Sequence, residues 1–285
     1  MLSTIILVCT RRGYRSGGGK MVTQISRASS TTTTTLQGYS RSSTREAFKL
    51  NPCTGKWQSP IGLCTPGRGQ RLERARADLN MHGYDVPFSQ YEVKDRNSVL
   101  RVHPLGAIQP SVSGSGLPGR FLLHELHFHV GVDDTYGSEH TVDGKPFAME
   151  AHFLHYNDQF RSFEEAVMEK DGLAVISVLF KLSDHRCPES LEAIMSAMES
   201  PGSSKVAPLV LSQMLPGIPP TSYYLYSGSL TMPPWSENVT WVVCTQTLEV
   251  TSAALARFRK NASGKCKGNI RPTQPLGERK VILCA

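Results

Sequence analysis

Two short runs of this sequence set imidazoles and carboxylates at spacings that suit a metal ion. In Glu125-Leu126-His127-Phe128-His129-Val130 polar and apolar residues alternate, the period of a strand that turns one face to a site and the other to a core. His127 and His129 then share a face with Glu125, and Cβ atoms two residues apart on a strand stand roughly 6.5 to 7 Å apart, a span that two nitrogens close by leaning toward one ion. A second run, Glu150-Ala151-His152, again puts a carboxylate and an imidazole on one face. Between the two lies Gly137-Ser138-Glu139-His140-Thr141-Val142-Asp143-Gly144, turn-rich and long enough to bring His152 back beside the first pair.

Three histidine ligands leave the fourth position of a tetrahedral zinc to water, which marks a catalytic rather than a closed structural site. Glu125 and Glu150 are the expected acceptors for the ring N–H groups that face away from the ion, fixing tautomer and orientation. The same strict alternation assigns His124 and His155 to the opposite strand faces and His140 to the turn, within reach of Glu139.

The elements that must position these residues read as short strands between Gly and Pro turns, clearest at residues 122–130, 148–155, 173–182 and 239–243. Three helical pieces interrupt them. Ser162 with Glu165 forms an S-x-x-E capping box ahead of Ala166, Val167 and Met168, with Gly172 closing that helix. Leu191, Ile194, Met195 and Met198 recur at helical spacing, and residues 253–259 form a third short helix. With 18 Pro, 24 Gly and 39% hydrophobic residues in 285, the expectation is one mainly β (α+β) domain over residues 46–285 with short peripheral helices.

The net charge of +7 would suggest a polyanionic partner, but its location argues otherwise. Residues 1–45 hold seven Lys or Arg and no Asp or Glu, and the rest of the chain is close to neutral, so no nucleic-acid face is expected. Arg-rich, Ser- and Thr-rich and acid-free, this leader has the composition of an organellar transit peptide, mitochondrial or plastid. A weak secretory h-region at residues 5–9 and a start at Met21 are the alternatives. No run reaches the roughly 18 to 20 apolar residues of a spanning helix. The seven cysteines, Cys9, Cys53, Cys64, Cys187, Cys244, Cys266 and Cys284, are odd in number and lack C-x-x-C spacing, which opposes a structural zinc module and a complete disulfide framework.

Several motifs together resemble the α-type carbonic anhydrases: Gln58-Ser59-Pro60-Ile61, His127-Phe128-His129, the run from Gly137 to Gly144, Met149-Glu150-Ala151-His152, Gly228-Ser229-Leu230-Thr231, Pro233-Pro234, and Asn269 with Arg271-Pro272-Thr273-Gln274-Pro275-Leu276. They run in the family's order from about residue 46 to the C-terminus. The resemblance implies a twisted, mostly antiparallel central sheet, a zinc site at the bottom of a conical cleft, and reversible hydration of carbon dioxide to bicarbonate. It implies Thr231 as the hydroxyl that orients the attacking oxygen and donates to Glu139, with His140 in the same motif. Asn269 would join Glu125 and Glu150 behind the ligands, and Leu154, Val175, Leu230 and Trp241 would form the apolar wall that receives carbon dioxide.

Departures from the family pattern narrow the resemblance. The slot that often holds a proton-passing histidine is Ser98 here, and serine does not titrate near neutrality. The aromatic segment that usually precedes Gln58 is replaced by the basic leader. A disulfide found in secreted members would join Cys53 to a residue after the Pro-Pro step, which here is Trp235. Val130 stands where tryptophan is frequent, and Glu125 where glutamine is frequent. The sequons at Asn238-Val239-Thr240 and Asn261-Ala262-Ser263 matter only in a secreted chain. Two other functions are compatible with the resemblance: a metal-free binding module, and a zinc esterase.

Overall fold

Strands whose side chains are buried on both faces tolerate few polar residues, and the most apolar segments of this chain lie at the middle of its sheet. The computed structural model describes residues 55–68, 72–96, 99–199, 207–261 and 268–285. The leader of residues 1–45, Cys9, Met21, Cys53, Asn97, Ser98, Cys266 and the last two residues of the second sequon lie outside the described residues. In chain order the strands are β1 (Gly62–Leu63), β2 (Leu72–Ala75), β3 (Asn80–His82), β4 (Gln90–Arg96), β5 (Val99–Leu105), β6 (Ser111–Ser113), β7 (Phe121–Val130), β8 (Thr141–Val142), β9 (Met149–Asn157), β10 (Leu173–Leu182), β11 (Tyr223–Gly228), β12 (Val239–Cys244), β13 (Leu248–Val250) and β14 (Val281–Cys284). The helices are α1 (Phe163–Ala166), α2 (Glu189–Glu199) and α3 (Ser252–Asn261).

The main sheet runs β2-β14-β11-β12-β10-β9-β7-β5-β4, with β13, β3 and β6 paired off this path. Most neighbours are antiparallel; β10 pairs parallel with β12, and β14 with β2. This is the mainly β, mostly antiparallel single domain that the sequence leads one to expect. The four strands read from sequence match β7, β9, β10 and β12 within two residues at each end. α1 is shorter than its capping box suggests: Glu165 N–H donates to Ser162 Oγ at 3.3 Å, but helical geometry ends at Ala166.

Each face of the sheet has its own core. One buries Phe121, Leu126, Phe128, Phe153, Ile176 and Phe180 against Leu191 and Ile194 of α2 and Phe258 of α3. The other holds Ile61, Leu154, Val175, Tyr226 and Trp241. A fully buried side chain of this kind stabilises the fold by about 2 kcal/mol.

A register shift between Leu123 and Glu125 interrupts the pairing of β7 with β9. Such a bulge inserts one unpaired residue and resets the alternation beyond it. Phe121 and Leu123 therefore share the first core with Leu126 and Phe128, although their sequence parity differs. His124, the inserted residue, packs beside Tyr156 and Phe163 of the second core's side. Strict alternation had assigned it to the face opposite Glu125; the bulge corrects that. His155 does lie on the first core's side, where its Nε2 is bonded to the Tyr84 hydroxyl.

Candidate metal centre

β7 and β9 are antiparallel neighbours in which His127 lies directly opposite His152 and His129 opposite Glu150. Three imidazoles thus come from alternate rungs of one ladder, two residues apart. Their ring centroids are 5.3 Å (His127 to His129), 5.1 Å (His127 to His152) and 4.6 Å (His129 to His152) apart, and all three residues are buried. One nitrogen of each lies within 4.8 Å of the others.

Each ring has one nitrogen turned outward to an acceptor and one turned inward. His129 Nδ1 lies 2.7 Å from the carbonyl oxygen of Asn269, and His152 Nε2 lies 2.7 Å from Glu150 Oε1. His127 Nδ1 lies 3.0 Å from Glu125 Oε1, close enough for a charge-assisted contact although its angle is poor for a hydrogen bond. The inward atoms are then His127 Nε2, His129 Nε2 and His152 Nδ1. His152 Nδ1 and His127 Nε2 are 3.3 Å apart, the spacing of roughly 3.3 Å expected for two nitrogens about 2.0 to 2.1 Å from one tetrahedral ion. His129 Nε2 is buried and has no hydrogen-bond partner among the described residues. Burial holds all three rings below the usual histidine range, His129 at about 4, so they are neutral and present lone pairs. This donor set fits a zinc ion with a fourth position left open.

A second group, His140, Glu150 and His152, also gathers possible ligand atoms, but these are already engaged with one another. Glu150 Oε1 accepts from His140 Nδ1 at 2.6 Å, His152 Nε2 at 2.7 Å and Ser177 Oγ at 2.6 Å. Its Oε2 accepts the backbone N–H groups of Glu139 at 2.7 Å and His140 at 2.8 Å. Burial alone would raise this carboxyl, but His140 and His152 outweigh it and hold the group well below the usual range. His140 therefore buttresses Glu150 rather than the Glu139 side chain. Its Nε2 lies 2.7 Å from the Tyr226 hydroxyl, which donates to Ser59 Oγ at 3.0 Å. Ser59 Oγ also accepts from Ser229 N at 3.1 Å, next to Leu230 and Thr231. Gly228 suits this crowded junction, since a Cβ there would strike Ser59 Oγ and the Trp241 ring. Tyr226 and Ser177 were not among the residues singled out from sequence, and Ser59 entered only through the Gln58-Ser59-Pro60-Ile61 motif, without a role.

Glu139 is buried beside the histidines, and its Oε1 accepts the Arg271 N–H at 2.8 Å. Burial, then the charge of Glu150, raise its carboxyl to about 8, with Thr231 and Arg271 opposing. Thr231 is close enough to act on that carboxyl, yet Glu139 Oε2 has no hydrogen bond of good geometry among the described residues. Leu154, Val175 and Trp241 lie in one apolar cluster with Leu230 packed on it. Trp241 stands edge-on to His152 at 4.9 Å and to His140 at 4.8 Å. Asn269 Oδ1 accepts from Val130 N at 2.8 Å, so this residue grips β7 with both side chain and backbone.

Glu125 is 2% exposed and is ion-paired to Arg101 of β5. Burial would raise its carboxyl, but His127 and Arg101 outweigh it and hold it low. Arg101 also reaches Met232 Sδ at 3.7 Å, tying the ligand strand to the loop that carries Thr231. Nothing in the sequence pattern singled out Arg101, because its partner lies on a neighbouring strand 24 residues away.

The family model for eukaryotic-type carbonic anhydrase matches residues 43–285. Carbonic anhydrase 1 of Oryctolagus cuniculus is 31% identical over 240 residues, which cover 80% of this chain and 98% of that protein. Carbonic anhydrase 5B, mitochondrial, is 38% identical in Rattus norvegicus and 37% in Homo sapiens. Those two alignments, each over 180 residues, cover 60% of this chain and 56% of the mitochondrial proteins.

Proposed function

This chain belongs to the eukaryotic-type carbonic anhydrase family, and on that premise we propose that it catalyses the reversible hydration of carbon dioxide to bicarbonate and a proton, with zinc held by His127, His129 and His152. The observation that carries this reading is the pairing at each ring of an inward lone pair with an outward acceptor. Zinc in such a site supplies Lewis-acid chemistry that brings the pKa of water to about 7.

The chain's own residues do the rest. Glu125, Glu150 and the Asn269 carbonyl hold the three rings in one tautomer and one orientation. Glu139 accepts the Arg271 N–H at Oε1, and with the charge of a bound divalent ion offsetting the burial that raises its carboxyl, its ionised Oε2 accepts from the Thr231 hydroxyl. A hydroxyl has one proton to give and two lone pairs, so a threonine that donates to Glu139 offers only acceptor sites to the nucleophile and fixes its direction. Leu154, Val175, Leu230 and Trp241 exclude water where carbon dioxide, an uncharged and weakly hydrogen-bonding substrate, must sit. His140 acts at one remove, by aligning Glu150.

A metal-free binding module of the same fold is disfavoured by the presence of all three imidazoles together with Glu139 and Thr231. The test is carbon dioxide hydration by the purified chain beside His152→Ala. Hydration well above buffer background that the substitution abolishes supports the reading, and a wild-type rate equal to background overturns it.

In this reading the folded domain starts near residue 46. Its acid-free leader and its similarity to proteins named mitochondrial support an organellar location, which import into isolated mitochondria or plastids would test.

A further inference from the structure

The first sequon, Asn238-Val239-Thr240, begins one residue before β12, and the amide that would accept a glycan is already engaged inside the fold. Asn238 is 8% exposed. Its Nδ2 donates to the carbonyl oxygens of Ala166 at 3.2 Å, Val167 at 2.9 Å and Glu169 at 2.9 Å. The last carbonyls of a helix have no partner within it, and α1 has no basic side chain in its last turn to serve them. The Asn238 amide supplies the missing donor from the strand beside it.

The surroundings leave this clamp no room to open. The backbone oxygen of Asn238 accepts from Leu173 N at 3.2 Å, and Val239 pairs with Leu173 where β12 runs parallel to β10. Gly172 closes the turn from α1 into β10, where a Cβ would stand 1.9 Å from the Ala166 oxygen. Asn238 Oδ1 is itself buried, without a hydrogen-bond partner among the described residues. The helix held in this way packs Phe163 and Val167 against the second core and stacks Phe163 on His124 at 3.9 Å.

N-glycosylation needs the same nitrogen. One Nδ2–H bond breaks and an Nδ2–C bond forms to the anomeric carbon of the first sugar, whose bond to the diphosphate of its lipid carrier breaks; the proton passes to a base, and nothing is oxidised or reduced. The substituted nitrogen keeps one proton for three carbonyls and carries a bulky, hydrated chain where α1 packs. Carbonyls left buried without a donor destabilise the fold. We infer that a glycan on Asn238 and this fold exclude each other, so that the folded chain is the product of a compartment without lipid-linked oligosaccharide transfer. The sequon then serves as a clamp for α1. This exclusion holds whether or not the chain hydrates carbon dioxide, and it weighs against a secreted form.

The test is sugar transfer by a purified oligosaccharyltransferase and its lipid-linked donor to the full chain, offered native or freshly diluted from urea. Asn261→Gln in that chain leaves Asn238 as the one sequon. The native chain is expected to take no sugar and the unfolded chain to be modified. The modified chain should then stay sensitive to protease, while unmodified chain from the same reaction regains resistance. A native chain that accepts sugar, or a glycosylated chain that regains resistance, overturns the inference. An unfolded chain that also stays unmodified overturns it too, since the fold is then not what withholds Asn238. Asn238→Asp gives a readout without the enzyme: with an oxygen turned toward three carbonyls, the folded-to-unfolded ratio should fall by at least about tenfold, seen as a lower urea midpoint. An unchanged midpoint contradicts the clamp.

Discussion

His152 Nε2 and Glu150 Oε1 lie 2.7 Å apart on one face of β9, so the ring proposed to bind the metal and the carboxylate that orients it are set by one stretch of strand. Because Glu150 takes five donors, a neutral amide in its place must turn an NH2 group against some of them. Glu150→Gln is expected to weaken zinc binding by about 10- to 100-fold, read by competition with a chelator. An unchanged affinity would show that the network does not orient His152.

Thr231→Val keeps the shape of a buried side chain and removes its proton and lone pairs. Zinc content should stay at the wild-type level while kcat falls by about 100-fold, measured by stopped-flow hydration alongside metal analysis. A valine variant that turns over at the wild-type rate would remove Thr231 from the account of orientation.

Arg101→Leu leaves the Glu125 carboxylate buried without its guanidinium partner. Removing one member of such a pair costs about 2 kcal/mol here, below the fully buried figure because Arg101 is partly exposed. Faster zinc loss to a chelator and a lower urea midpoint should result, and the double variant Arg101→Leu with Glu125→Gln should recover part of both. No recovery in the double variant would mean that Arg101 acts independently of Glu125.

His155 is held down to about 4 by burial, with its bonds to the Ala174 and Phe153 backbone opposing, against 6.5 unfolded. Below pH 6.5 the unfolded chain therefore binds a proton that the native chain refuses. The stability this group contributes is present in full above 6.5 and is lost as the pH falls toward 4, about 3 kcal/mol in all. The difference in urea midpoint between wild type and His155→Gln should shrink from pH 7 to pH 4.5. A difference independent of pH would contradict a neutral, buried His155.

Much of the site's frame was legible because strand alternation is a strong physical signal: His127, His129 and Glu125 share a face, and the central strands β7, β9 and β10 are apolar enough to announce themselves. The bulge at His124 left no compositional mark, since one inserted residue changes parity without changing residue types. Arg101 was missed for a related reason. β4 and β5 are half-exposed strands with mixed polarity, and only their pairing brings an arginine against Glu125. The bond from Tyr226 to Ser59 joins residues 167 positions apart, a closeness that no local pattern encodes. Asn269 contributes its backbone oxygen to His129, a role that residue type cannot announce.

The most direct measurement is carbon dioxide hydration by metal-stripped protein titrated with zinc. The account predicts a rate that climbs from background and breaks at one zinc per chain, with no rise for His129→Ala over the same range. A chain that binds one zinc at these histidines and still hydrates carbon dioxide no faster than buffer would contradict it.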